Sequence, residues 1–284
     1  MLKQVLGVVV ALMLVASVAS AGVMTLDFET ATHKQQFVQL LGGGSFNDCT
    51  GNPGTGMSYT PGNGSCKVQD GVGSDVLLSN TGMVEADFHM QYYSNVKYGN
   101  SGPKSGVLVK LFDAGDTHQG GYVANIGVSG TALTLRVGAH TTPNGGTANW
   151  EYYGAPTHTP KAQMDLVTGL AEPRDDTGID LGWYHMSAAL ADVAGDMQIT
   201  VVVTDPGATE LTPAGGLVWT DSGTMKDLTD GEVGLVTQYS WSRYTEIDNF
   251  SVGVPADDTP PIPEPAGLGL LGLAALGLRR RRRA

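Results

Sequence analysis

The chain has 284 residues, 40 of them Gly and only two Cys, and 15% of it is charged where an ordinary soluble domain has roughly 25%. That profile excludes a coiled coil, a helical bundle and a disulfide-dense mini-protein. Residues 22–263 hold 10 of the 16 basic residues and 27 of the 28 acidic ones, a net charge of −17. Such a surface repels phosphate backbones and anionic headgroups, so the body takes no nucleic acid; divalent cations and neutral polymers fit it better.

In chain order, Lys3 precedes an apolar run over 5–15 and small residues ending in Ala19, Ser20 and Ala21. This is the three-part layout of a secretory signal peptide with an A-x-A cleavage site. The eleven residues of the run fall short of the roughly 20 that a spanning helix needs. Residues 1–21 are therefore expected to be removed. In an exported chain, Cys49 and Cys66 read as one disulfide closing a Gly-rich loop, worth about 3 kcal/mol in the chain-entropy view.

Strand signals fill the body, residues 22–254. Runs over 83–90, 107–112, 122–128 and 133–137 are apolar or β-branched and are separated by Gly, Asp and Asn. Runs over 183–190 and 197–203 flank Asp192-Val193-Ala194-Gly195-Asp196, whose turn chemistry predicts a hairpin. Runs over 233–238 and 246–252 close the body. Helical patterning is thin, with a turn or two expected at 33–41 and 161–170. Many short strands with Gly-rich loops describe an all-β sandwich or jelly roll.

The order of cues sharpens this reading. Strand 84–90, Ser105-Gly106-Val107-Leu108-Val109, Gly121-Tyr122-Val123-Ala124-Asn125-Ile126, Leu133-x-Leu135, Trp183-Tyr184, Gly231-Glu232-Val233-Gly234-Leu235 and Ile247-Asp248-Asn249-Phe250-Ser251-Val252 follow one another. This series resembles the concanavalin A-like lectin/glucanase and laminin G-like sandwiches. The resemblance implies a jelly roll of two antiparallel sheets whose first and last strands are neighbours. It implies a structural calcium ion made from terminal acids, here Asp27 and Glu29 with Asp248, around Phe28 turned to the core; the plainer reading is solvated strand-edge acids.

Laminarinase-like hydrolases of this class carry E-x-D-x-x-E on a strand, and the nearest match is Glu85-Ala86-Asp87-Phe88-His89-Met90. Met90 neither donates nor accepts a proton, so a hydrolase is not expected. His89 is a further base in principle, or a bystander. Sugar rings stack on exposed aromatics. Trp150, Tyr152 and Tyr153 form one candidate cluster, Tyr239, Trp241, Arg243 and Tyr244 a second, and Tyr92, Tyr93 and Tyr98 a weaker third. The alternative for each is packing between the sheets.

After a Pro-rich linker, 255–262, the tail reads Pro263-Glu264-Pro265, an uncharged Gly/Leu/Ala run over 266–278, then Arg279, Arg280, Arg281, Arg282 and Arg283. The apolar run enters a bilayer transiently and the arginines hold its end on the cytoplasmic side. Residues 263–284 resemble the PEP-CTERM sorting signal. That resemblance implies a bacterium with an exosortase, cleavage near Pro263–Pro265, and delivery to the cell surface or extracellular matrix. The combined expectation is a non-enzymatic, exported sandwich associated with extracellular polysaccharide. A structural matrix or adhesion protein without a sugar site, or a divergent glycoside hydrolase, is the alternative.

Overall fold

The structure is a computed structural model. It describes residues 24–41, 45–60, 63–78, 80–92, 101–113, 118–141, 161–171, 178–223, 226, 231–238 and 245–253. The expected signal peptide, linker and sorting tail lie outside these residues.

The described chain runs β1 (Met24–Leu26), α1 (Ala31–Gln35), β2 (Phe37–Leu41), β3 (Ser45–Thr50), β4 (Thr55–Thr60), β5 (Asn63–Val68) and β6 (Leu77–Leu78). It continues through β7 (Gly82–Tyr92), β8 (Ser101–Asp113), β9 (His118–Ser129), β10 (Ala132–Thr141) and β11 (Ala162–Val167). The last elements are β12 (Ile179–Val193), β13 (Asp196–Thr204), β14 (Leu217–Asp221), β15 (Gly231–Gln238) and β16 (Thr245–Gly253). Two antiparallel sheets result. Sheet A has the order β14-β13-β12-β7-β16-β4-β3, with β1 also on β16, and sheet B the order β11-β10-β9-β8-β15-β5-β2, with β6 on β15. The fold is an all-β jelly-roll sandwich.

Alternation builds the core. On β13, Met197, Ile199, Val201 and Val203 are buried while the residues between them are half-buried. The equivalent inward rows on β7, β9, β10 and β12 close on one cluster between the sheets. At one end Phe37 of β2 packs on Phe28, Phe46 and Phe250, with ring centroids 5.9, 6.1 and 5.4 Å away. Such contacts add to the burial energy of the rings themselves. The β12–β13 hairpin forms where the turn chemistry predicts it, with Val193 paired to Asp196 and positive φ at Ala194 and Gly195. The terminal strands are neighbours, Met24 pairing with Val252 and Leu26 with Phe250.

Three expectations change. Residues 161–170 give strand β11 rather than a helical turn, because Leu166 and Val167 pack against the core from a sheet edge. Residues 33–41 split into the end of α1 and strand β2. Cys49 and Cys66 are free thiols, which corrects the expected disulfide. The physical reason is orientation. Cys49 on β3 pairs with Gly56, the outward neighbour of buried Met57, so its thiol lies on the outer face of sheet A. Cys66 on β5 of sheet B is fully buried in the core. Burial, with Glu246, Asp248 and Asp48 nearby, pushes the Cys49 thiol up to about 12, and burial raises Cys66 as well.

Candidate functional site

Strand β7 sends Val84, Ala86, Phe88 and Met90 into the core and leaves Glu85, Asp87 and His89 on the outer face of sheet A. Register sets two neighbours beside each of them. Trp183 and Glu246 flank His89, His185 and Asp248 flank Asp87, and Ser187 and Ser251 flank Glu85. Three rows drawn from β12, β7 and β16 therefore share one face.

His185 bridges two carboxylates of β7. Its Nδ1 lies 2.7 Å from Asp87 Oδ1 and its Nε2 3.7 Å from Glu85 Oε1. The hydrogen bond to Asp87, followed by the one to Glu85, outweighs burial and moves its pKa up to about 9, so the ring is an imidazolium at neutral pH. Its hydrogen bond in turn holds Glu85 below the ordinary carboxylate range, and Ser251 Oγ donates to Glu85 Oε2 at 3.2 Å.

His89 makes the second bridge. Its Nδ1 contacts Glu246 Oε2 and its Nε2 lies 2.8 Å from Asp180 Oδ1. The ring stacks on Trp183, centroid to centroid at 5.0 Å and 23° between planes, a cation–π arrangement when the imidazole is charged. The Glu246 hydrogen bond is the chief cause that raises its pKa, with Asp180 adding to it against the cost of burial. Asp180 reaches the face through a bulge in β12. The register shifts between Asp180 and Gly182, and Gly182 takes φ 85° with its N–H on Asp180 Oδ1 at 2.7 Å.

A matching bulge in β16 gathers the third group. Asn249, at φ 49°, donates from Nδ2 to Asp87 Oδ2 and to the Asn52 carbonyl, both at 2.8 Å. Asp248, 0% exposed, accepts the Asn52 N–H on Oδ2 at 2.5 Å and the Asn249 N–H on Oδ1 at 2.8 Å. Burial raises its pKa, with the Asp87 and Glu29 carboxylates adding. The turn over 51–54 is pressed between acids. A Cβ at Gly51 would stand 2.6 Å from Asp248 Oδ2, and one at Gly54 1.8 Å from Glu29 Oε1.

Of the expected calcium ligands, Glu29 and Asp248 thus flank one turn. Glu29 Oε1 accepts the Thr55 N–H at 3.0 Å, whereas Asp27 Oδ1 accepts the Glu29 N–H at 3.1 Å and meets His33 Nδ1 at 3.0 Å. Phe28 is buried in the core as expected. Among the described residues, no group of three His, Cys, Asp or Glu side chains is disposed to hold a metal ion. As folded, Asp27 Oδ1, Glu29 Oε1 and both oxygens of Asp248 accept backbone N–H groups.

The aromatic candidates Trp150, Tyr152 and Tyr153, and Tyr239, Trp241, Arg243 and Tyr244, lie outside the described residues, as do Tyr93 and Tyr98. Tyr92 is fully buried and faces the core. Met90 also faces the core, so it does not stand where a third carboxylate would; the outward position belongs to His89. Sequence reasoning missed Asp180, Trp183, His185 and Glu246. The available signal was parity: Glu85, Asp87 and His89 alternate on one strand, and Trp183 and His185 alternate on another.

No protein-family model matches the sequence, and no curated protein matches it. Solved structures align with most of the chain at low identity. A lectin from Bauhinia forficata in complex with GalNAc is 8% identical over 82% of this chain and 98% of its own, with a TM-score of 0.38. The exoplasmic/lumenal domain of VIP36, bound to Ca2+ and Man3GlcNAc, is 10% identical over 84% and 90%, with a TM-score of 0.42. A protein of unknown function from Shewanella oneidensis MR-1 is 11% identical over 82% and 87%, with a TM-score of 0.37. At these values no ligand and no residue role passes from them to this chain.

Proposed function

We propose that this protein is an exported, non-enzymatic sandwich that associates with extracellular polysaccharide through the outer face of sheet A. The observation that supports it is a partly exposed indole, Trp183, beside a cluster of polar side chains of the kinds that can bond sugar hydroxyls: Asp180, His89, Gln91 and Glu246. A pyranose offers an apolar C–H face to an indole and a ring of hydroxyls to such neighbours. Strands β7, β12 and β16 carry no Lys or Arg, so an anionic glycan meets repulsion there and a neutral or amino-bearing one does not.

Binding is favoured over hydrolysis by the state of the two strand carboxylates. A retaining glycosidase needs one carboxyl held neutral as the acid, beside an ionised nucleophile. Here one imidazolium bridges Glu85 and Asp87, and Glu85 is pulled down rather than up.

The test is a glycan-array screen of the full chain beside an assay for released reducing ends. Retention on neutral or amino-bearing glycans, lost in Trp183→Ala, with no reducing ends released, is the expected result. Released reducing ends would replace the reading with a hydrolase. A screen without any retention would replace it with a structural matrix protein.

The address in this reading rests on sequence. Residues 1–21 export the chain, and Pro263, Glu264 and Pro265 present it to an exosortase while the 266–278 run inserts transiently in the membrane. The mass of the surface-released protein, expected to end near Pro263–Pro265, checks this. Calcium belongs to the proposal at Asp27, Glu29 and Asp248, hard carboxylate oxygens brought from the two ends of the body. A melting temperature that rises with calcium and falls with chelator supports the ion; an unchanged one removes it.

A further inference from the structure

We propose that His89 is a positioning residue of this face: as a bridging imidazolium it ties β12 to β16 and holds the Trp183 indole, so the aromatic platform is set while the ring keeps its proton and is released when the proton leaves. This rests on reading the face as the binding surface.

The geometry gives the reason. A carboxylate only accepts, so a ring placed between two carboxylates needs an N–H on each nitrogen, and only the charged imidazole has both. Neutral imidazole keeps one N–H and turns a lone pair toward the other acid. One of the two bridges must then break. Glu246 is the better covered partner, its side chain 18% exposed against 69% for Asp180, so Asp180 gives way. Asp180 stands at the bulge three residues before Trp183, and its Oδ1 also fixes the Gly182 N–H. Loss of that anchor frees the segment that carries the indole.

The groups facing His89 are few among the described residues. From β16 comes Glu246, with Asp248 one row on; from β12 Asp180, with His185 one row on; from β7 itself Asp87 and, 3.5 Å from Nδ1, the neutral Gln91 Nε2. The carboxylates outnumber the single imidazolium among them, which favours the charged ring; His89 accordingly titrates above its ordinary 6.5.

The test is tryptophan emission of the full chain, titrated from about pH 6 to about pH 10 across the imidazole range. The chain has four Trp, so Trp183→Phe supplies the background. The expected result is a Trp183-dependent change with a midpoint above 6.5, absent in His89→Gln and shifted down in Glu246→Gln. Ring-nitrogen NMR of the unmodified protein reads the His89 proton directly, should His89→Gln fail to fold. No Trp183-dependent transition, a transition that survives in His89→Gln, or a His89 ring neutral below pH 6.5 overturns the proposal. None of these readings uses a sugar, so their failure is separate from failure of the binding reading. Glycan retention that needs Trp183 yet ignores pH overturns this inference alone.

Discussion

On the outer face of sheet B, Lys67 Nζ lies 2.7 Å from both Asp75 Oδ2 and Glu232 Oε1; on the outer face of sheet A, His185 stands between Glu85 and Asp87. Both clusters put a cation between one nearly covered acid and one partly exposed acid. In sheet B the acids are not equivalent. Burial raises Glu232, with Asp75 adding and Lys67 opposing, while the hydrogen bonds of Asp75 to Lys67 and Gln69 outweigh its own burial and lower it. In sheet A the cation is a ring that gives up its proton within an accessible pH range. A lysine cluster of this kind ties the loop between β5 and β6 to β15 at any ordinary pH. The imidazole cluster ties strands only while protonated. The difference separates a permanent brace from a titratable surface.

Removal of the cation distinguishes the two most strongly. Lys67→Met leaves Asp75 and Glu232 facing each other at a covered position, and should cost about 3 kcal/mol. His185→Gln keeps a donor beside Glu85 and Asp87 at a site open to solvent, and should cost about 1 kcal/mol or less. Urea denaturation of both variants checks the pair. Equal losses would erase the distinction between brace and surface.

Next in size is Asp248→Ala. It strips the acceptor from the Asn52 and Asn249 amides beneath the 51–54 turn, and should cost about 2 kcal/mol. Asp27→Ala, on a half-exposed acid, should stay within about 0.5 kcal/mol. If the two variants cost the same, the turn is not held by the buried acid.

The sandwich was legible because its inward rows repeat at period two and its strands end in Gly, Asp or Asn. The residues of β7, β12, β13 and β16 state their own strand, and even the neighbouring of β1 and β16 followed from the resemblance. Residues 37–68 did not declare their strands. Their Gly, Ser and Asn content reads as loop, although among the described residues Phe37, Met57, Tyr59, Cys66 and Val68 are buried in the core and Phe46 packs against it. The cysteines misled for a related reason: spacing along the chain says nothing about which sheet a strand joins. For the site, the motif Glu85-x-Asp87 was visible, but its cation was not. His185 lies 98 residues from Asp87 and is brought to it by the β7–β12 register. Asp180 is there only because β12 bulges.

The pH response of sheet A follows with a definite sign. His185 titrates higher folded than unfolded, so its contribution to stability is complete below its ordinary 6.5 and is lost as pH rises through about 9. The ring is 41% exposed, so solvent screening reduces the effect to about 1 kcal/mol. The stability difference between the unmodified chain and His185→Gln, followed by urea denaturation across that window, should shrink in alkali. A difference that stays constant with pH would mean that His185 does not bridge as a cation.

Glu232→Gln gives the smallest expected change and probes the brace from the other side. Glu232 titrates higher folded than unfolded because of its burial, so its ionised form is disfavoured in the folded chain. The amide lacks that penalty and also lacks the charge that attracts Lys67, so the two losses offset and the net change at neutral pH should lie within about 0.5 kcal/mol. The sign emerges with acid. A carboxyl raised on folding contributes stability below its unfolded value of 4.5 and loses it as pH rises through the folded value. The unmodified chain should therefore gain on Glu232→Gln as pH falls toward 4.5, in urea denaturation of both. A gain in the opposite direction would make Glu232 an ionised partner of Lys67, and the sheet B cluster would then differ from that of sheet A only in its cation.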